Sequence, residues 1–356
     1  MAERTAAVAA REVALHVPRL RSLAMPLALA ALAAAFLTGV AIGPVDIAPG
    51  IVVKVVLHHL FGTDVRVDPT FDAIVWDIRL PRVLLAAIVG ASLAFSGATY
   101  QAVFRNPLAD PYLLGVASGA GLAAAAVIVL DVPLEYGHIS LVTVAAFGGA
   151  LATVALTYSL ARVSGHTANT TLILAGVAVS SIAVSLISYL MLLSRESTTT
   201  ILSWLMGGLN RSGWHQMLFI LPYTLPAAVL VGLHGRILNV LQFDEQQAQQ
   251  LGVNVERTKL LLLVAASLAA AAAVAVAGII GFVGLVAPHA VRLVVGPDYR
   301  RLLPLVAVVG AAFLIVADLC ARTVLSPGEL PVGVVTSIVG VPFFLWLLRR
   351  QRKAFF

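Results

Sequence analysis

Lysine is nearly missing from this chain of 356 residues, which carries only Lys54, Lys259 and Lys353. None of the three follows glycines at the spacing of a GxxxxGK[ST] phosphate loop, so the chain has no P-loop route to ATP hydrolysis. Cysteine occurs once, as Cys320 inside an apolar stretch, which excludes an intramolecular disulfide and a cysteine metal cluster. Charged residues make up only 11%, against about 25% in soluble domains, and a water-soluble fold is excluded. Nucleophile elbows and zinc-binding helices are absent, and no His or acidic pair in the apolar runs has ligand spacing. The chain is therefore expected to hold no catalytic residue, no metal and no cofactor of its own.

What is present is apolar: 60% of the residues are hydrophobic and the mean hydropathy is +0.98. The surplus of Ala, Leu, Val and Gly favours close-packed helices over a β-barrel, whose strands alternate polar and apolar residues. Apolar runs cover approximately 23–42, 83–104, 113–130, 139–161, 171–193, 217–234, 260–280, 282–295, 304–321 and 332–348. The reading is an all-α membrane protein of about ten transmembrane helices. Residues 1–21 form a basic N-terminal segment, 22–350 the transmembrane domain with a long inner connection at 235–259, and 351–356 a tail. The first run is longer than a signal-peptide core and is read as a retained helix. The eighth is short, carries Pro288, and is expected to begin inside the membrane after a break at Gly281–Gly284.

The net charge of +6 has no basic face or RNA-binding motif behind it, and no nucleic-acid partner is expected. With both termini in the cytoplasm, sixteen Lys and Arg fall inside and seven outside, the bias that the positive-inside rule requires. The longest outer connection, 44–80, carries Phe61, Phe71 and Trp76 and reads as chain lying at the interface. Inside, Gln242–Val255 contains FDEQQAQQLG and reads as a polar helix with Ala248 and Leu251 as its small apolar face and Gly252 as its C-cap.

Between the runs stand long motifs: Arg79-Leu80-Pro81-Arg82; Arg105-Asn106-Pro107-Leu108-Ala109-Asp110-Pro111; Trp204-Leu205-Met206-Gly207-Gly208; and Gly281-Phe282-Val283-Gly284-Leu285 with Pro288-His289 and Arg292. Glu329-Leu330-Pro331-Val332-Gly333 and Gly340-Val341-Pro342-Phe343-Phe344 follow. In this order they resemble the permease family of ferric-siderophore, haem and cobalamin uptake, the FecCD-like membrane subunits of type II ABC importers, over about residues 22–350. The resemblance implies a homodimer with the path on its two-fold axis, lined by the fifth and tenth helices. It further implies two cytoplasmic ATPase subunits that hold ATP and Mg, a periplasmic binding protein docking from outside, and a location in the bacterial inner membrane.

By the same resemblance Asp244, Glu245, Ala248, Leu251 and Gly252 are candidates for ATPase coupling, the plainer alternative being a solvated surface helix. Arg79, Arg82 and Arg322, placed on the outer surface, are candidates for docking the binding protein. Interfacial snorkelling for the first two, and an i,i+4 pair with Asp318 for the third, are the alternatives. Thr167, Ala168, Asn169 and Thr170 are candidates for a cytoplasmic gate, with N-capping of the fifth helix as the local role. His289 is expected to make a structural hydrogen bond; His58, His59 and His138 lie outside and carry little weight as haem ligands. Haem is the first substrate expected, ferric siderophore or cobalamin the alternatives. An ion-driven secondary transporter needs ionisable groups near mid-membrane, and the spans offer almost none. A purely structural scaffold leaves the amphipathic inner loop and the glycine-rich breaks unexplained.

Overall fold

The structure, a computed structural model, describes residues 18–355 apart from 44, 46, 63–66, 131–134, 137–138, 163–167 and 244. Lipid supplies no hydrogen-bond partners, so an apolar chain satisfies its own backbone by coiling into helices. In chain order these are α1 (Pro18–Ala41), α2 (Pro49–Phe61), α3 (Pro69–Ala73), α4 (Leu80–Phe104), α5 (Val116–Val129), α6 (Leu141–Ala161), α7 (Asn169–Leu193) and α8 (Thr198–Leu205). Then come α9 (Trp214–Leu233), α10 (Gly235–Val240), α11 (Glu245–Gln250), α12 (Val255–Ala277), α13 (Val283–Val295), α14 (Tyr299–Thr323) and α15 (Val332–Phe355). A two-residue antiparallel ladder, Glu135–Tyr136 on Ile139–Ser140, precedes α6.

Among the described residues seven helices are long and apolar enough to cross a membrane. The shorter apolar helices Val116–Val129, Val283–Val295 and Val332–Leu347 stand where the sequence places the third, eighth and tenth spans. The outer connection differs from expectation. Within 44–80, Pro49–Phe61 is itself an apolar helix, and α3 runs through a π-helical turn, Ile74–Arg79, straight into α4. The rod Pro69–Phe104 has 36 residues, about 54 Å at about 1.5 Å per residue, against about 30 Å of hydrocarbon. The rod is therefore longer than the hydrocarbon is thick.

Helix α4 is the axis of the bundle, buried on nearly every side and packed by α9, α12, α13 and α14. Small residues permit this. A Cβ at Gly97 would lie 2.0 Å from the Gly284 carbonyl oxygen, so α4 and α13 touch backbone to backbone, the packing that small residues allow between membrane helices. The alanine run of α12 lies against α4 and is hooked to it by polar groups: Ser96 Oγ donates to Ala266 O at 2.9 Å, and the Tyr100 and Ser267 hydroxyls are 2.6 Å apart. Helix α1 leans on α14 at the periphery with Leu23, Leu27 and Leu37 exposed.

A break precedes α13, but earlier than the expected Gly281–Gly284, since Gly284 is already helical. Gly278–Gly281 is irregular, and Phe282 enters α13 with φ of +68°, in the left-handed region that costs a side-chain-bearing residue about 1–2 kcal/mol. Its ring fills the space left by Gly340 of α15, where a Cβ would come within 2.4 Å.

Candidate functional site

At the end that the bias of basic residues assigns to the outside (the outer end, its opposite being the inner end), α1 finishes with unpaired carbonyls and the negative end of its dipole. Arg79 donates to Val40 O at 3.1 Å and Ala41 O at 2.7 Å, and also to Val45 O; Arg322 donates to Gly39 O. Two of the three arginines expected on the outer surface are thus helix-end caps inside the bundle. The third, Arg82, is held by two carboxylates. Its Nε and Nη2 reach Asp318 Oδ1 at 3.0 and 2.9 Å, while Nη1 and Nη2 reach Glu329 at 3.0 Å each. Arg322 Nε lies 3.3 Å from Asp318 Oδ2, the expected i,i+4 pair.

Relative exposures are 3% for Arg79, 8% for Arg82, 3% for Arg322 and 1% for Asp318. The expectation of surface arginines is therefore corrected: a low-dielectric site tolerates these cations because carboxylates and carbonyls surround them. Sequence reasoning missed Glu329 and the reach of Asp318 across the fold to Arg82. The signal was available, since an acidic residue in an apolar span calls for a partner.

Beside this node three outer connections join through their backbones. Gly208 N–H donates to Ala277 O at 2.8 Å and Val332 N–H to Gly207 O at 3.0 Å. The Trp204–Gly208, Gly278–Gly281 and Glu329–Gly333 motifs thus form one joint. Next to it an outer cavity of about 660 Å³ is lined by Asn210, Arg211, His215 and Gln216 on one side and by Ala275–Gly278 on the other. His59 is committed elsewhere, 3.1 Å from Asp72 and stacked on Trp76 at 4.1 Å.

At the inner end the Arg105–Pro111 motif closes on itself. Arg105 caps α4 in the left-handed conformation, Asn106 Oδ1 accepts from Leu108 N–H at 2.9 Å, and Asp110 Oδ1 accepts from Tyr112 N–H at 2.8 Å. The Gln-rich helix read within Gln242–Val255 and ending at Gly252 is α11, Glu245–Gln250, with α10 before it. Gly252 ends it at φ of +82°, the C-cap expected. Ala248 is fully buried and cannot meet a partner, whereas Leu251 is 66% exposed; Phe243 is also exposed and its carbonyl accepts from Arg105 at 3.3 Å. Asp244, Thr167 and His138 lie outside the described residues, as do Arg4 and Arg11.

The local role given to the Thr167–Thr170 turn also changes. The N-cap of α7 is Ala168, without a side-chain bond. Asn169 turns away from its own helix end and donates to Val103 O and Phe104 O at 3.4 Å each, while its oxygen accepts from buried Lys259 at 3.4 Å. It ties α7 to the end of α4 and the start of α12; Ala168 and Thr170 are exposed. His289 departs from expectation too. It is 8% exposed, and among the described residues neither ring nitrogen has a hydrogen-bond partner; the ring meets Phe343 edge-on at 6.1 Å.

A second inner tie joins α10 to α14. Asn239 donates to Asp298 Oδ1 at 2.7 Å and accepts from Tyr299 N–H at 2.8 Å, and Arg300 closes on Asp298 at 3.1 Å. The Arg300 hydrogen bond, then that of Asn239, draws the Asp298 carboxyl down to about 2. The sign follows: a depressed carboxyl stabilises fully above its ordinary pKa of about 3.9, and the contribution is lost as pH falls towards 2. Melting temperatures between pH 5 and 2.5 should show D298N below wild type at pH 5 and the gap closing on acidification.

The profile of the FecCD transport family matches residues 31–350. The chain is 47% identical to the cobalamin import system permease BtuC of Halobacterium salinarum, over 80% of this chain and 75% of that one. It is 44% identical to the hemin transport system permease HmuU of Yersinia pestis, over 78% of this chain and 84% of that one. A solved structure described as an inward-facing conformation of a metal-chelate type ABC transporter superposes with a TM-score of 0.79 at 30% identity, over 92% of this chain and 99% of that one. The apolar helices of the described residues, the backbone joint of the glycine motifs and a profile match over nearly the whole chain lead to one conclusion: the chain belongs to the FecCD transport family and is a permease of ABC importers.

Proposed function

We propose that two copies of this chain form the path by which a bulky iron complex, haem first, passes from a periplasmic binding protein to the cytoplasm, driven by two ATPase subunits on the inner face. The observation that carries this reading is on α7. Ser181, Ser185 and Ser188 stand on one exposed face of this helix, each donating to the carbonyl four residues before it at 2.8, 2.9 and 3.0 Å. A hydroxyl row is out of place against lipid tails but suits a water-lined or helix-lined face. Self-satisfied hydroxyls grip a passenger weakly, which conduction requires. Cobalamin is the second reading, supported by the cobalamin permease at 47% identity.

The inner membrane, with both termini cytoplasmic, is the location that the distribution of basic residues supports. Coupling is assigned to the α11 turn, where exposed Leu251 offers an apolar knob beside Gly252. A short helix seated in an ATPase cleft turns nucleotide-driven closure into rigid-body displacement of the attached spans. Docking is assigned to the outer end, through Glu329 and the edge of Arg82 it covers. Gating is assigned to the turn at Ala168, Asn169 and Thr170.

Two measurements test the whole. Reconstituted with its ATPase and binding protein, the chain should support ATP-dependent uptake with ATP turnover stimulated by the loaded binding protein. A Soret band on that binding protein identifies haem; its absence removes haem as substrate. Leu251→Arg should reduce uptake at least tenfold while the permease still assembles, because the side chain is exposed and its loss does not disturb the core. Unchanged uptake would remove the coupling assignment. Gly252 is the poorer probe, since any side chain there is strained by its positive φ.

A further inference from the structure

Where the inner ends of α1, α13 and α14 diverge there is a cleft of about 680 Å³. Its mouth carries Ser22, Arg300 and Arg301, and its floor Met25, Val295 and Leu305. The polar and apolar parts are ordered by depth. Met25 lies three residues beyond Ser22 on α1, and Leu305 four beyond Arg301 on α14, so each pair shares one helix face. Ser22 opens the apolar stretch Ser22–Ala41, and Arg301 stands in the first turn of Tyr299–Thr323. The mouth is therefore at headgroup level and the floor at acyl level.

Charge at the mouth is unbalanced. Arg300 spends its guanidinium on Asp298, which Asn239 also engages. Arg301 is exposed, and its guanidinium has no hydrogen-bond or ion-pair partner among the described residues. Leu23 and Leu27, 52% and 56% exposed, flank the cleft on α1, so it opens onto the apolar periphery that lipid covers.

We infer that this cleft binds an anionic phospholipid, the phosphate at Arg301 and the upper part of one acyl chain over Met25, Val295 and Leu305. Basic pockets between membrane helices on the cytoplasmic side take such headgroups. A guanidinium pairs with a phosphate through two parallel hydrogen bonds, and an apolar floor distinguishes a lipid from a free anion. The inference is independent of the substrate and of the coupling and docking assignments.

The purified permease in mild detergent tests it. Phosphatidylglycerol should raise the melting temperature and remain bound in native mass spectra, whereas phosphatidylcholine and inorganic phosphate should do neither. Arg301→Gln should weaken retention about fivefold, the equivalent of about 1 kcal/mol for one basic residue at a membrane surface. Met25→Trp, which fills the floor and keeps the charge, should also lower retention. Both variants should melt like wild type in lipid-free detergent; a variant that does not fold is replaced by the other. Equal effects of the two lipids, full retention by both variants, or a shift with inorganic phosphate alone would overturn the proposal. A phosphatidylglycerol response seen only after removal of residues 1–17 would give the cleft to the chain's own N-terminal segment and overturn it as well.

Discussion

Asp318→Asn is expected to destabilise the permease by about 3–5 kcal/mol, the range for removing one member of a buried ion pair. The carboxylate is 1% exposed and stands between Arg82 and Arg322, 2.9 and 3.3 Å from their nitrogens. Without its charge two guanidinium groups share one buried site, and Glu329 alone faces them. That residue reaches only Arg82 and is itself 35% exposed at the side chain. The result to look for is a large fall in melting temperature and loss of the monodisperse peak in detergent. The double variant Asp318→Asn with Arg322→Met should recover part of the loss by removing one orphaned cation. Glu329→Gln should cost about 1 kcal/mol or less, since a partly exposed pair is screened. Equal losses for Asp318→Asn and Glu329→Gln would show that burial does not set the energetics of the node.

Gly97→Leu is expected to abolish the packing of α4 on α13. The first carbon of the new side chain would fall 2.0 Å from the Gly284 carbonyl oxygen and 2.6 Å from the Gly284 Cα. Both obstacles are backbone, so no rotamer change relieves the overlap and the helices must separate. The cost should be about 3 kcal/mol or more, the upper part of the range for overpacked sites, and Gly97→Ala should already show part of it. Gly50→Ala is the control: nothing stands within 4 Å of that position, and the change should leave the melting temperature unchanged or slightly raised by better helix propensity. Detergent-solubilised yield and thermal scans of the three variants decide the matter.

Much of the architecture was legible because membrane helices declare themselves by length and hydropathy. The positions of the seven long apolar helices and of three shorter ones, the short helix after its glycine break and the C-cap at Gly252 follow from local rules. What was not legible was which polar group meets which. Arg82 and Glu329 are far apart in sequence, and no local rule pairs them; the i,i+4 rule gave Arg322 its partner and stopped there. Asn169 was assigned to its own helix end because capping is a local expectation, while the carbonyls it bonds belong to α4. Ala248 and Leu251 share a nominal face if the helix runs up to Gly252. It ends at Gln250, so Ala248 is buried within it and Leu251 is exposed in the turn beyond. The outer connection reads as interfacial chain from Phe61, Phe71 and Trp76, and aromatic anchors do not report that α3, the π-helical turn and α4 continue as one rod.

The guanidinium of Arg82 offers five N–H donors in a rigid fork, and the two carboxylates on it occupy both of the edges that match a carboxylate, one through Nε and Nη2 and the other through Nη1 and Nη2. A third carboxylate arriving from outside finds a single N–H. To bind with two hydrogen bonds it must take the place of Glu329, the outer and more exposed of the two residents. Such an exchange swaps like for like, so its free energy at Arg82 is close to zero. If a binding protein docks here as proposed, contact at this point sets the register and timing of the encounter, and the strength of that complex must come from surfaces away from it.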